Sequence, residues 1–308
     1  MKPELPFDLE AYSQSVADLV AQAGRAVVAI KPGAYRIASG VVFRENLVAV
    51  NNHQLKREGS VPVHLPDGTE MQAAILGRDP TRDVAILQTR DTKLQACAPE
   101  DESKLKPGAL AVVVGRTIDA GLSASVGILG AVGGPRRTWR GGELSRFLRL
   151  DVNLYPSQAG AVVVSSSGRC IGMATGAMLR HSALAIPPET LNQIADELLR
   201  EGRIRQGYLG VGLQPVAIPD NLRSKSSLAG ETGLMVLSVE SGTGADKAGL
   251  QLGDILIAAG GATLSDTESL LALLRGDAVE KPMNVTLLRA GNLLDTAVQV
   301  TDKSSKRN

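Results

Sequence analysis

The sequence predicts a mostly β protein built from two domains. Its 308 residues exceed the ~100–150 residues of an ordinary domain, and 44% of them are hydrophobic, which is enough for two cores. Short runs of Val, Ile, Leu and Ala alternate with Gly, Pro, Asp and Asn along most of the chain. Runs of this length, broken by turn residues, are typical of β-strands.

Two segments have the apolar spacing of helices instead. The first is an N-terminal amphipathic helix, because its apolar residues recur near the helical period. These residues are Leu9, Tyr12, Val16, Leu19, Val20 and Ala23. The second helix follows Pro187-Pro188, runs from Glu189 to Glu201 and ends at Gly202.

Between these helices the pattern is one of short strands separated by turns such as Pro66-Asp67-Gly68, a spacing typical of an all-β barrel. The predicted strands cover residues 26–30, 40–43, 47–51, 60–65, 71–78, 84–89 and 109–114, and others continue to about residue 185. A second block of strands follows, with one helix near 267–274 and a final strand pair near 285–288 and 294–300. We therefore divide the chain into a helical segment (1–23), a barrel domain (24–205), a second domain (206–302) and a tail (303–308).

Charge and aromatic content argue against nucleic acid and membrane surfaces as partners. Lys and Arg number 33 against 32 Asp and Glu, so the formal charge is only +1. Aromatic residues make up 3% of the chain, which leaves few rings for stacking on bases. We interpret the one basic tract, Lys303 to Arg307, as a frayed terminus.

Targeting signals are absent from the sequence as it stands. Acidic residues and prolines occupy the start, Met1 to Asp8, where a secretory signal would carry an apolar core. A membrane-spanning helix needs a stretch of ~18 or more apolar residues, and the sequence contains none. We expect a soluble, cytoplasmic chain, or a periplasmic one if an upstream signal was removed.

Cysteine and histidine are too sparse to predict a disulfide framework or a metal site. Cys97 and Cys170 lie far apart in the sequence and read as free thiols. The three histidines, His53, His64 and His181, are scattered. We predict neither a metal nor a cofactor.

One histidine and one aspartate have the placement of a catalytic pair. The apolar run Leu47 to Val50 delivers His53 at its end, and Asp83 opens the next such run about thirty residues later. A buried aspartate that orients a histidine is two thirds of a nucleophile-activating triad. On these residues alone, the alternative is a structural histidine and an ordinary turn aspartate.

Five motifs resemble those of the HtrA family of serine proteases, and the resemblance runs from about residue 24 to residue 301. The motifs are Ala38-Ser39-Gly40-Val41-Val42, Asn51-Asn52-His53, Leu65-Pro66-Asp67-Gly68, Asp79-Pro80-Thr81-Arg82-Asp83-Val84-Ala85-Ile86-Leu87 and Arg205-Gln206-Gly207-Tyr208-Leu209-Gly210-Val211. The resemblance implies a trypsin-like double β-barrel followed by a PDZ domain. It also implies that His53 and Asp83 are the catalytic histidine and aspartate.

The same resemblance places an alanine where the catalytic serine belongs. The family typically shows Pro-Gly-x-Ser-Gly-Gly-Pro-Leu, whereas this chain has Pro156-Ser157-Gln158-Ala159-Gly160-Ala161-Val162-Val163. Ala159 has no nucleophilic atom, so the acyl-enzyme route is closed. Ser157 replaces the glycine whose N–H would form the oxyanion hole with that of Ala159. The other nearby serines, Ser165, Ser166 and Ser167, read as ordinary loop residues.

The second domain carries the pattern of a peptide-binding module. A strand at 233–239, a short helix at 245–250 and a turn into a strand at 252–257 resemble a PDZ domain. The resemblance implies that Tyr208, Leu209, Gly210 and Val211 form the carboxylate-binding loop. Leucines of the 267–274 helix would form the other wall of the groove. The alternative is that residues 208–211 are only an edge strand.

Taken together, the resemblance and Ala159 predict an inactive HtrA-like protein that binds unfolded polypeptides or peptide C-termini and forms a homotrimer. One alternative is an active serine endopeptidase of protein quality control. Another is an engineered Ser-to-Ala form of such an enzyme. A structural β-protein that uses neither site is the third alternative.

Overall fold

A computed structural model describes residues 8–33, 36–56, 59–90, 94–138, 141–179, 182–205, 207–225, 230–274 and 278–302. The chain divides into two compact units, the first formed by residues 1–138 and 143–204, the second by residues 139–142 and 205–308. Strands hold 48% of the described residues and helices 21%, which confirms the mostly β prediction. His181, the segment 1–7 and the tail 303–308 lie outside the described residues.

Two helices flank the strands of the first unit, close to the predicted positions. Helix α1 (Leu9–Ala23) begins at Asp8, whose carboxylate accepts hydrogen bonds from the amides of Glu10 and Ala11. Helix α2 (Pro188–Glu201) ends at Gly202, which adopts a left-handed φ of 70°. None of the described helices has both the length and the apolar character needed to cross a membrane.

The first six strands close into a barrel in the order β1-β2-β3-β6-β5-β4. They are β1 (Val27–Gly33), β2 (Arg36–Arg44), β3 (Leu47–Asn51), β4 (Ser60–His64), β5 (Glu70–Asp79) and β6 (Val84–Gln88). The turn at Pro66-Asp67-Gly68 joins β4 to β5, as predicted.

The remaining strands of the first unit form a second closed barrel in the order β11-β14-β13-β12-β7-β8, with β9 and β10 as a separate small ladder. They are β7 (Leu110–Thr117), β8 (Gly121–Gly133), β9 (Arg136–Arg137), β10 (Glu143–Leu144), β11 (Phe147–Asp151), β12 (Val162–Val164), β13 (Cys170–Leu179) and β14 (Ser182–Ile186).

Strands buried on both faces explain the unbroken apolar runs of the sequence. Along β3, Val48 and Val50 face the interior of the first barrel, whereas Leu47 and Ala49 join a cluster shared by the two barrels. The apolar face of α2 completes that shared cluster with Leu191, Ile194, Ala195 and Leu198. The facing barrel surfaces are therefore part of one core, and α2 seals it.

The second unit is a twisted antiparallel sheet with short helices. Its main sheet has the order β16-β17-β18-β20-β21, which leaves β16 at one edge, and β15 pairs separately with β22. The strands are β15 (Gly207–Tyr208), β16 (Val211–Ala217), β17 (Thr232–Val239), β18 (Ile255–Ala259), β19 (Ala262–Thr263), β20 (Pro282–Arg289), β21 (Asn292–Gln299) and β22 (Thr301–Asp302). The helices are α3 (Asp220–Lys225), α4 (Gly244–Lys247) and α5 (Thr267–Leu273). The predicted 245–250 helix is shorter in the structure, because Gly249 turns the chain with a φ of 74°.

Candidate active site and carboxylate-binding loop

The structure brings His53 and Asp83 together between the first barrel and the second. His53 lies in a turn directly after β3, and Asp83 directly precedes β6, the strand that pairs with β3. The Nδ1 atom of His53 is 2.9 Å from both Asp83 carboxylate oxygens, and the His53 amide donates to Oδ1 at 3.0 Å. Asp83 is 2% exposed, so the imidazole is held by a buried carboxylate.

A tight turn fixes the carboxylate of Asp83. The Asp79 side chain accepts hydrogen bonds from the amides of Thr81 and Arg82, and it pairs with the Arg82 guanidinium. This turn leaves Asp83 with a φ of 55°, in the left-handed region that few non-glycine residues adopt. The motif from Asp79 to Asp83 therefore acts as a support for the aspartate.

Thr175 and Gln54 also contact the pair, and no motif in the sequence pointed to either residue. The Thr175 hydroxyl on β13 donates to Asp83 Oδ2 at 2.7 Å, so the second barrel orients the aspartate of the first. The Gln54 side-chain nitrogen lies 2.8 Å from His53 Nε2. Because Asp83 holds the proton on Nδ1, Nε2 is an acceptor and the Gln54 amide donates to it. Nε2 is the atom that would activate a nucleophile, and here it already has a partner.

Ala159 lies beside the end of β3 that leads to His53. Its carbonyl accepts a hydrogen bond from Ser39 of β2 at 3.0 Å. The next residue, Gly160, has a φ of 81°, and a side chain there would place its Cβ 2.2 Å from the Ser39 carbonyl oxygen and 3.6 Å from the Asn51 amide. Only glycine fits this approach between the barrels.

The segment before Ala159 is a 3₁₀ turn, Pro156–Gln158, that uses the amide of Ala159 internally. The Ala159 N–H donates to the Pro156 carbonyl at 3.3 Å. An oxyanion hole needs that N–H to point at the substrate oxygen. In this conformation the amide serves the turn instead, and the predicted oxyanion role of Ser157 and Ala159 stays a prediction.

Side chains from both barrels stabilise this turn. The Gln158 side-chain oxygen accepts from the Tyr155 amide at 3.2 Å and from the Ser125 hydroxyl at 3.0 Å. The Ser39 hydroxyl donates to the Ser157 carbonyl at 2.7 Å and accepts from the Arg116 amide at 2.9 Å. The turn is thus part of a hydrogen-bonded network.

Ser165 and Ser167 are engaged away from His53. Both serines lie in the turn after β12, and both hydroxyls donate to the same carboxylate oxygen of Glu100. These hydrogen bonds lower the pKa of Glu100 to about 2. No group of His, Cys, Asp and Glu suited to a metal ion occurs among the described residues.

In the second unit, Leu209 and Gly210 form the loop between Tyr208, the last residue of β15, and Val211, the first residue of the edge strand β16. Leu209 is buried, and its carbonyl accepts from Ala245 of α4 at 2.9 Å. Gly210 has a φ of 89°, and a Cβ there would lie 2.2 Å from the Thr243 hydroxyl oxygen. The amides of Leu209 and Gly210 donate to no acceptor within the described part of the chain.

The leucines of α5 separate into two sets. Leu270 and Leu274, in and just after the helix, are buried in the core of this unit. Leu271 is exposed. Among the described strands β16 pairs only with β17, so its other edge can accept an added strand. The Leu209 and Gly210 amides, which have no acceptor in the described part of the chain, lie beside that edge. Tyr208 is held by its hydroxyl, which donates to Glu240 at 2.5 Å.

Two family models match the chain in the same order as the two units. A trypsin-like peptidase domain matches residues 38–173, and a PDZ domain matches residues 207–300. A probable periplasmic serine endoprotease, DegP-like, from Brucella suis is 31% identical over 251 residues, which cover 78% of this chain and 48% of that protein. The periplasmic pH-dependent serine endoprotease DegQ of Escherichia coli is 27% identical over 277 residues, covering 87% of this chain and 60% of DegQ. The chain thus spans about half the length of these curated relatives.

A solved structure agrees with the fold. The HtrA-type protease AlgW with a decapeptide superimposes with a TM-score of 0.73 at 21% identity, over 94% of this chain and 98% of AlgW. At that identity the likeness shows the fold alone. The predicted double β-barrel followed by a PDZ domain is confirmed.

Proposed function

This chain belongs to the HtrA family of trypsin-like serine proteases with a PDZ domain, and from that premise we propose that it is a non-cleaving member that binds polypeptides. The observation that carries the proposal is Ala159 in the place of the nucleophile. A methyl group cannot form the acyl-enzyme bond, whatever His53 and Asp83 do. In the one protease where all triad members were dissected, losing the serine cost on the order of 10⁶ in rate.

Two contacts beside Ala159 support the proposal independently. Gln54 donates to His53 Nε2, and the Ala159 amide donates to the Pro156 carbonyl. A working site needs the first atom to accept the nucleophile's proton and the second to stabilise the oxyanion. A change at Ala159 alone would leave both contacts in place, which favours natural degeneration over an engineered Ser-to-Ala origin.

The intact His53–Asp83–Thr175 arrangement favours a second candidate, an active endopeptidase. The curated relatives are described as serine endoproteases, which agrees with that candidate. It would require a hydroxyl within reach of His53 Nε2. Two of the nearby serines, Ser165 and Ser167, donate to Glu100 instead, and we therefore rank the non-cleaving function first.

Labelling with a fluorophosphonate probe separates the two candidates. We expect no label on the purified chain and no cleavage of casein, because the probe reacts only with an activated serine. The Ala159→Ser variant supplies the reference for weak labelling. Labelling of the unaltered chain that disappears in His53→Ala would overturn the non-cleaving proposal and establish the endopeptidase.

We further propose that polypeptides bind at the edge of β16, with a free C-terminal carboxylate at the Leu209 and Gly210 amides. The open strand edge and the two amides without an acceptor support this placement. The solved AlgW structure was obtained with a decapeptide, which shows that a relative of the same fold binds a peptide of that length. Unfolded polypeptides or peptide C-termini are thus the proposed partners.

Calorimetry with paired peptides tests the carboxylate. A decapeptide selected from a library randomised at its C-terminal residue is compared in free-acid and amidated form. We expect amidation to weaken binding by about tenfold or more, since it removes a charge-assisted hydrogen-bond acceptor. Equal affinity for both forms would show that the loop captures no carboxylate.

Gly210→Pro provides the matching protein variant. Proline has no N–H and requires a φ near ~−65°, whereas Gly210 lies at 89°, so every C-terminal peptide should bind more weakly. Circular dichroism should show the strands of the first unit unchanged. Undiminished binding of all peptides would place the peptide elsewhere.

Assembly and compartment complete the proposal. We propose a homotrimer, and a periplasmic location in agreement with the names of the curated relatives. Both follow from family membership.

A further inference from the structure

The two cysteines, far apart in the sequence, meet in the structure. Cys170 is the first residue of β13, and its amide donates to the Ala98 carbonyl at 2.7 Å, while Pro99 pairs with it in a parallel bridge. Cys97 lies two residues before Pro99 and packs against the core cluster that contains Cys170. Neither cysteine is in a disulfide.

The pair lies where the two barrels meet. The Cys97 amide donates to Val42 of β2 at 3.0 Å, which attaches this segment to the first barrel. Cys170 belongs to the second barrel through β13 and is part of the core cluster that both barrels share, with Cys97 packed against that cluster. A covalent bond between the two sulfur atoms would therefore link the segment between β6 and β7, which connects the two barrels, to β13.

The environments of the two thiols differ in a way that suits two separate roles. Cys170 is 1% exposed, whereas Cys97 is half-buried and lines a cavity of about 380 Å³. Arg25 and Arg169 also line this cavity. Interaction with the Cys170 thiol lowers the pKa of the Cys97 thiol, and the same interaction together with burial raises the pKa of the Cys170 thiol. Cys97 is thus the thiol that an oxidant in solvent can reach, whereas the Cys170 thiol is buried.

We propose that Cys97 and Cys170 form a redox-active pair that hydrogen peroxide converts into an intrachain disulfide. The Cys97 thiolate attacks one oxygen of the peroxide, the O–O bond breaks, and the departing hydroxide takes up a proton to leave as water. The resulting sulfenic acid is attacked by the Cys170 sulfur, the S–O bond breaks, and the hydroxyl leaves with the Cys170 proton as a second water. Two thiols are oxidised by two electrons, and one peroxide is reduced to two waters. A dithiol reductant reverses the disulfide by exchange.

The disulfide should stabilise the first unit. It closes a long loop between residues 97 and 170, and a loop of that length restricts the unfolded chain strongly. We expect the melting temperature to rise by roughly 5–10 °C on oxidation and to return on reduction. β13 also carries Thr175, the partner of Asp83, so the clamped strand is the one that orients the candidate catalytic pair.

Thiol counting on the full chain tests the proposal. The chain is reduced, desalted without oxygen and exposed to a small excess of hydrogen peroxide, with quantification of thiols and mass spectrometry under non-reducing conditions. The unaltered chain should lose both thiols and the mass of two hydrogen atoms, and its peptide map should join the segments that contain Cys97 and Cys170.

Single variants assign the roles and control for folding. Cys170→Ala should stop at a sulfenic acid on Cys97, trapped by dimedone, whereas Cys97→Ser should retain the Cys170 thiol for much longer because that thiol is buried. The melting temperature of both variants should be unaffected by peroxide. The proposal would be overturned if the unaltered chain kept both thiols, or if Cys170 reacted equally fast in the chain and in Cys97→Ser. These readouts require neither proteolysis nor peptide binding.

Discussion

At the residue scale, two hydrogen bonds around the candidate catalytic residues support the proposed loss of cleavage. The Gln54 side-chain amide is hydrogen-bonded to His53 Nε2, and the Ala159 amide donates to the Pro156 carbonyl. A serine introduced at 159 would have to displace Gln54 from Nε2. The amide of residue 159 could also not act as an oxyanion donor until the turn Pro156–Gln158 changed its conformation.

We therefore predict that Ala159→Ser alone restores little proteolysis. Loss of one oxyanion donor costs roughly 10²–10³ in rate, so activity should rise stepwise when Gln54→Ala and then Ser157→Gly are added. Casein cleavage and fluorophosphonate labelling rates for the single, double and triple variants provide the measurement. Full activity from the single change would indicate an engineered origin of Ala159.

Gly210 and Gly242 allow a matched test of the carboxylate-binding loop. Both have a positive φ, 89° and 78°, but a Cβ at Gly210 would overlap Thr243, whereas Gly242 has open space around it. Alanine at either position costs about 1 kcal/mol through φ, and only Gly210→Ala adds the steric conflict. Chemical denaturation followed in the second unit should show the larger loss for Gly210→Ala. Equal losses would mean that the Thr243 contact relaxes freely.

At the scale of the element, α2 seals the core shared by the two barrels. Leu198 is buried against Gly77 of β5, where a Cβ would come within 2.3 Å of a Leu198 methyl group. The next residue, Leu199, is 54% exposed. Neighbouring leucines on one helix therefore have opposite environments.

This contrast predicts different costs for the same substitution. Leu198→Ala should destabilise the first unit by about 2–5 kcal/mol, because it leaves a cavity in a close-packed core. Leu199→Ala should change stability by no more than about 0.5 kcal/mol. Urea denaturation of both variants measures the difference, and similar values would show that α2 is not tightly packed.

The turn after β12 makes stability depend on pH through Glu100. Its side chain is 1% exposed and accepts hydrogen bonds from Ser165 and Ser167, which lower its pKa to about 2. The folded pKa lies below the unfolded value of about 4.3, so the carboxylate stabilises the fold above that value. This stabilisation is lost as the pH falls toward 2.

Glu100→Gln should therefore lower the melting temperature by roughly 3–6 °C at pH 7, and the difference from the unaltered chain should shrink at pH 3.5. Glu102→Gln, at an exposed carboxylate paired with Arg146, is the control and should have a small effect. Thermal melts of both variants and of the unaltered chain at pH 7, 5 and 3.5 provide the measurement. A difference that stayed constant with pH would contradict the role of the ionised carboxylate.

At the scale of the whole molecule, the exposed apolar side chains of α1 bear on assembly. Helix α1 buries only Ala23 fully, and Leu9 is 63% exposed. Tyr12, one turn further along the same helix, is also exposed. Such apolar side chains on a surface helix favour an interface with another chain.

We predict a trimer in solution that depends on these residues. Light scattering at micromolar concentration should give three times the chain mass of 32.2 kDa. Leu9→Ser/Tyr12→Ser should lower that mass, whereas Ala17→Ser, an exposed position on the same helix, should leave it unchanged. A monomeric unaltered chain would contradict the trimer.

Local sequence patterns predicted many of the strands and the two long helices. Unbroken apolar runs such as Leu47 to Val50 predicted strands, and Gly202 predicted where α2 ends. The resemblance of the motifs around His53, Asp83 and Ala159 to those of the HtrA family assigned the histidine, aspartate and nucleophile positions, and these assignments stay predictions. These features are local, because strand period, helix period and caps involve neighbouring residues.

The contacts that hold the candidate site together join residues from distant parts of the sequence, and the fold reveals them. Thr175 reaches Asp83, Ser39 reaches Ser157 and Cys97 reaches Cys170 because two separately closed barrels share one core. Contacts between residues distant in sequence leave no period in the chain, since they arise from barrel closure and burial, and no local pattern records them.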